Sequence, residues 1–129
     1  MTPTQKIKHA ILLTAMISIP TQDQPITADN VDALYDENGS EGRLQDAASE
    51  VRGGQFMTDI KAPWSRHYES KSVATQMPDG SWVGWSYWYG GGKYSEPEAI
   101  NWMDDAYDLT CVEEVKTVTV KTFSRAEAA

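Results

Sequence analysis

The stretch Trp82-Val83-Gly84-Trp85-Ser86-Tyr87-Trp88-Tyr89 constrains this chain more than any other. Aromatic and β-branched side chains at that density favour an extended, pleated backbone. In a strand, Val83, Trp85, Tyr87 and Tyr89 point one way, and Trp82, Gly84, Ser86 and Trp88 the other. The stretch follows Pro78-Asp79-Gly80-Ser81, where proline presets φ and glycine accepts a positive one. Residues 67–77 suit a strand, so the two runs predict a hairpin, which Gly90-Gly91-Gly92 ends. The Val83–Tyr89 set is the bulkier and is assigned to a core beneath helices. Trp82 and Trp88, flanking small Gly84 and Ser86, are left on an open face. That face has to meet solvent, a partner chain, the N-terminal tail, a ligand or a covering loop such as the one that holds Trp64.

The other segments are read from periodicity and punctuation. Ile7 to Ile19 is nearly continuous in apolar residues, and its β-branching favours a buried strand, although the length also suits a helix. Pro20 ends it either way. Lys6, Lys8 and His9 before this run imitate a signal peptide, but a small-x-small cleavage site is missing and the run is too short to span a bilayer. Thr27 reads as the N-cap of a helix carrying Val31, Leu34 and Tyr35. Ser40 reads as the cap of a second, with Leu44, Ala47, Ala48 and Val51 as its stripe and Gly53-Gly54 as its stop. Residues 55–66 read as a connection. Ser95-Glu96-Pro97-Glu98 has the form of a capping box and predicts a helix through Ala99, Trp102, Met103 and Ala106. Val112 to Phe123 returns to strand, and residues 1–6 and 124–129 are expected to be flexible. The sum is one α+β domain over residues 1–129. It predicts an antiparallel sheet of about four strands with helices on one face, in the βαββαβ order of a ferredoxin-like sandwich, its first and third strands central.

Charge narrows the function. Eleven Lys and Arg face nineteen Asp and Glu, a formal charge of −8. That excludes a general electrostatic grip on duplex nucleic acid and suits a partner with a basic surface. One cysteine, Cys111, rules out an internal disulfide and a thiolate zinc site, and makes the cytosol the default location. The acids are grouped. Glu96, Glu98, Asp104, Asp105, Asp108, Glu113 and Glu114 lie in a stretch without Lys or Arg, and eight more between Asp23 and Glu50 are opposed only by Arg43. A solvated helix exterior accounts for any single acid; the grouping points to a docking face. Glu96, Glu98, Asp104, Asp105 and Asp108 are the candidate contacts to Lys and Arg of a partner, with Trp64, Trp82 and Trp88 as apolar anchors.

Catalytic chemistry finds little support. Gly90-Gly91-Gly92-Lys93 misses the phosphate-loop spacing, and Glu96 and Glu98 would repel phosphate at the helix start behind it. His9 reads as a core histidine, His67 as a loop residue and Cys111 as a small buried hydrophobe. Asp104, Asp105 and Asp108 lack the glycine turn and terminal glutamate of a calcium loop. The expectation is a protein without catalytic residues, metal or cofactor.

From Gly42 to Phe123 the chain resembles small accessory proteins of tailed phages and prophages. The residues concerned are Gly42-Arg43-Leu44-Gln45-Asp46-Ala47-Ala48, Pro63-Trp64-Ser65-Arg66-His67-Tyr68-Glu69, and Trp88 to Lys93 with Glu96-Pro97-Glu98-Ala99-Ile100. The resemblance carries no functional residue across. It implies a bacterial cytoplasm and, by analogy with anti-CRISPR and antirestriction proteins, a non-enzymatic inhibitor of a host nucleic-acid-handling or defence complex. Two other readings stand beside it: a ligand- or single-strand-binding module using the tryptophan face, and a structural or homodimerising phage protein.

Overall fold

The computed structural model describes residues 1–15 and 25–126. Three helices come first: α1 (Pro3–Thr14), α2 (Val31–Glu37) and α3 (Gly42–Arg52). Four strands follow: β1 (Phe56–Met57), β2 (Glu69–Gln76), β3 (Trp82–Tyr89) and β4 (Tyr107–Leu109), with a 3-10 turn at Pro97–Ala99 before the last. The sheet is antiparallel in the order β1-β2-β3-β4, so each strand lies beside its neighbour in sequence. The class is α+β, as expected. The βαββαβ order is corrected to three helices followed by a meander, and β2 and β3 are the central strands.

The amino-terminal run causes that change. It is a helix, not a strand, because its start is capped at both ends of a reciprocal pair. The Thr2 hydroxyl accepts from the Gln5 N–H at 3.2 Å, and the Gln5 side-chain oxygen accepts from the Thr2 N–H at 2.9 Å. Pro3 occupies the first turn, where no intrahelical donor is lost. Pro3–Lys6, expected to be flexible, thus form the first turn of α1. Ile7, Ile11, Leu12 and Ala15 recur at helical spacing and are buried. Residues 16–20 of the expected strand and its stop lie outside the described residues.

The middle helices form with shifted starts. The Thr27 carbonyl, not its hydroxyl, receives the Asn30 and Val31 N–H groups, so α2 begins at Val31. Glu41, not Ser40, precedes α3, which ends at Gly53 as read. Val31 and Leu34 of α2 and Leu44 and Ala47 of α3 join the α1 residues in one core with Val73, Val83 and Trp85.

The hairpin is as expected, in register from Glu69↔Tyr89 to Gln76↔Trp82. Gly80 holds φ at 89°, and the Asp79 carboxylate accepts from the Ser81 N–H at 2.9 Å and its hydroxyl at 2.6 Å. Val83 and Trp85 are fully buried under the helices, while Trp82 and Trp88 are half-buried on the other face. There the Tyr107 ring and Leu109 lie across Gly84, where a Cβ would come within 2.8 Å of both.

Three further expectations change. The connection after α3 contains β1, which pairs with Val73 and Ala74. The Ser95 hydroxyl donates to the Gly90 and Gly92 carbonyls (2.6 and 2.7 Å) instead of capping a helix. Only the 3-10 turn follows, and Trp102 drops onto Trp85 with ring centroids 5.5 Å apart. The last strand is Tyr107–Leu109; Val112–Phe123 is exposed and forms none, because no sheet edge among the described residues meets it.

Candidate functional site

The turn around Met103 is where separate acidic stretches meet. The Thr4 hydroxyl donates to the Met103 carbonyl at 3.3 Å, and the Tyr35 hydroxyl reaches the Met103 sulfur at 3.8 Å. These contacts seat the turn against both α1 and α2. Asp104 and Asp105 are exposed on it, beside the helix that carries Asp32, Asp36 and Glu37. The two lysines of α1 are already engaged. Lys6 pairs with Asp108 at 2.7 Å, and Lys8 with Asp32 at 2.9 Å while lying 5.4 Å from the Tyr35 ring centroid. The hydrogen bonds of Lys8 and Gln5 hold the Asp32 carboxyl below its ordinary range, and burial raises the Tyr35 hydroxyl. Asp36, Glu37, Asp104 and Asp105 have no ion pair among the described residues. Asp104 accepts only from the Asn101 amide, at 2.7 Å.

The expected site residues are therefore only partly assembled. Glu96 and Glu98 are exposed at the 3-10 turn that packs along β3 rather than on a helix face. Asp108 lies on β4 and is neutralised by Lys6. The expected acids are thus spread over the 3-10 turn, the Met103 turn and β4, and the helix on which the sequence had placed them does not form. Trp82 and Trp88 occupy the open face of the sheet, on the opposite side from Trp85 and the helices. Trp64 is 86% exposed and covers neither. The Trp88 indole nitrogen and Tyr107 hydroxyl are buried with no partner among the described residues.

Two features escaped the sequence reading. Phe56 packs on Trp82 with centroids 5.6 Å apart, at the rim of an open-face groove of about 480 Å³. Ala74, Leu109 and Val112 also line that groove. The apolar pair Phe56-Met57 just after Gly53-Gly54 was the signal for it. At the other end of β3, Tyr87 and Tyr89 stack at 5.7 Å, with Lys71 over both rings and Arg52 over Tyr87. The Arg52 guanidinium also donates to the Trp88 carbonyl. The cross-strand pairing of Lys71 with Tyr87 shows only once the hairpin register is known.

Cys111 is exposed, not buried as expected. His9 sits on α1, its pKa lowered by burial against a smaller opposing pull from Asp79. No group of three or more His, Cys, Asp or Glu gathers as a metal site among the described residues. No helix among them is long and apolar enough to cross a membrane. Comparison with protein-family models, curated proteins and solved structures gives no match.

Proposed function

We propose that this is a non-enzymatic binding protein of the phage accessory kind. It docks an acidic surface onto the basic face of a bacterial nucleic-acid-handling complex and so blocks that complex in the host cytoplasm. One observation supports the reading: the turn that carries exposed Asp104 and Asp105 packs through Met103 against Tyr35 of α2, the helix that also carries Asp36 and Glu37, while Lys6 and Lys8 are already ion-paired. A groove shaped for phosphates presents Lys and Arg, and a rigid set of carboxylates competes for it with fast, salt-sensitive association. The resemblance of residues 42–123 to phage accessory proteins supports the class of target.

The test is direct. Purified bacterial nucleic-acid-binding complexes are assayed for oligonucleotide binding by fluorescence anisotropy, with and without the protein. At least one should lose binding, less so at raised salt, and the variant D36K/D104K/D105K should fail to inhibit it. Equal inhibition by that variant, or no effect on any complex tested, would sink the reading.

A second reading rests on the groove beside Trp82 and Phe56, which has the size of a small-ligand site. Tryptophan fluorescence titrated with nucleotides and single-stranded oligonucleotides checks it; an unchanged signal at low salt removes it.

A further inference from the structure

Residues 115–123, Val-Lys-Thr-Val-Thr-Val-Lys-Thr-Phe, form one of the most strand-like sequences in the chain, yet they pair with no strand among the described residues. Val115, Val118, Val120 and Phe123 are between 75% and 100% exposed. A single exposed valine needs no explanation. Four large apolar residues within nine, in a β-branched run with no strand beside it, are a segment ready to complete another sheet. The charge is equally one-sided. Lys116, Lys121 and Arg125 occupy residues 115–126 without an acid, whereas residues 96–114 hold seven acids without a cation.

The other half of such a pairing is also present. β4 is the outermost strand on its side of the sheet, only three residues long, and carries no strand on its far side among the described residues. Asp104 and Asp105 precede it and are exposed. We infer that Val115–Phe123 of one copy adds as a strand to the β4 edge of a second copy, and reciprocally, to give a two-fold dimer. Cationic strand meets anionic edge, main-chain groups pair, and the exposed valines leave water.

Two other arrangements are less favoured. Pairing the two segments with each other would place four lysines and no acid in one ribbon. Folding back onto the chain's own β4 runs against its path, since Thr110–Glu113 line the open-face groove with Phe56–Ile60 and so lead away from that edge. The inference goes beyond the docking reading and does not rest on it.

The full chain is tested by sedimentation over a range of concentrations, and by zero-length carbodiimide coupling in an equimolar mixture of unlabelled and isotope-labelled protein. The expected result is a dimer that weakens at raised salt, with Lys116 or Lys121 coupled to carboxylates of residues 104–114 in mixed-mass species. The variant V118D/V120D should keep the wild-type circular dichroism and fall twofold in mass, because both side chains are exposed within one copy. The variant K116E/K121E should weaken the dimer. A monomer at every concentration, couplings confined to single-label species, or a dimer that survives V118D/V120D would overturn the inference.

Discussion

Trp85 is the residue on which the helical layer and the sheet close. It is fully buried, packs at a tilt against Trp102, and donates its indole N–H to the Arg52 carbonyl at 2.8 Å. Trp85→Ala should cost about 3–5 kcal/mol in denaturant unfolding. Trp85→Phe keeps most of the ring but leaves the Arg52 carbonyl without that donor, a further loss of about 1–3 kcal/mol if no water replaces it. Gly84 is constrained differently, by the Tyr107 ring and Leu109 that lie over it. Gly84→Val should displace both and lower stability by about 1–3 kcal/mol. His9 sets the response to mild acid. Burial makes it harder to protonate in the fold than in the unfolded chain, where its ordinary value is 6.5. The unfolded chain therefore takes up more protons as pH falls through that value, and stability drops. His9→Gln should flatten the melting temperature between neutral pH and about 5. Both proteins should still lose stability once pH falls below 3.8 and through the depressed values of Asp32 and Asp79.

At the scale of elements, a local cap and a tertiary contact compete, and each wins once. The Thr2–Gln5 pair commits Ile7-Lys8-His9-Ala10-Ile11 to a helix despite its β-branching. Thr2→Ala should cost about 1 kcal/mol, seen as a lower thermal midpoint. The Ser95 box loses, because its hydroxyl is held by the Gly90 and Gly92 carbonyls and Trp102 gains more by packing on Trp85 than by continuing a helix. The hairpin shows no such conflict: turn chemistry, alternation and burial agree, and its register follows.

Across the whole molecule, charge is distributed unevenly. Residues 52–95 hold five Lys and Arg against three Asp and Glu, while the flanking thirds are strongly acidic. Of those cations only Lys71 lies in a central strand; Lys61, Arg66 and Lys93 lie in the connections and Arg52 ends α3, while seven acids and no cation occupy residues 96–114. Exposed acids without partners repel one another and contribute nothing to the fold. D36K/D104K/D105K moves the formal charge six units toward zero, so its melting temperature should equal or exceed that of the wild type. Loss of docking in that variant is then not a loss of fold, and its mass in solution, measured alongside, separates docking from the pairing at the β4 edge that also uses Asp104 and Asp105. K6E does the opposite, setting an acid against Asp108, and should lower the midpoint.

Much was legible before any coordinates. The face assignment of Trp82 to Tyr89, the Asp79-Gly80 turn, the stop at Gly53 and the acid-rich stretches depend on neighbours a few residues apart, and the sequence contains those neighbours. The pairing of Lys6 with Asp108 and the meeting of Met103 with Tyr35 depend on groups about 70 to 100 positions apart, and the places of β1 and β4 and the packing of Trp102 on Trp85 on groups about 15 to 30 apart. Contacts at that separation leave no local trace. They are decided by which surfaces remain unburied once the helices and the hairpin have formed, and only the tertiary structure could decide them.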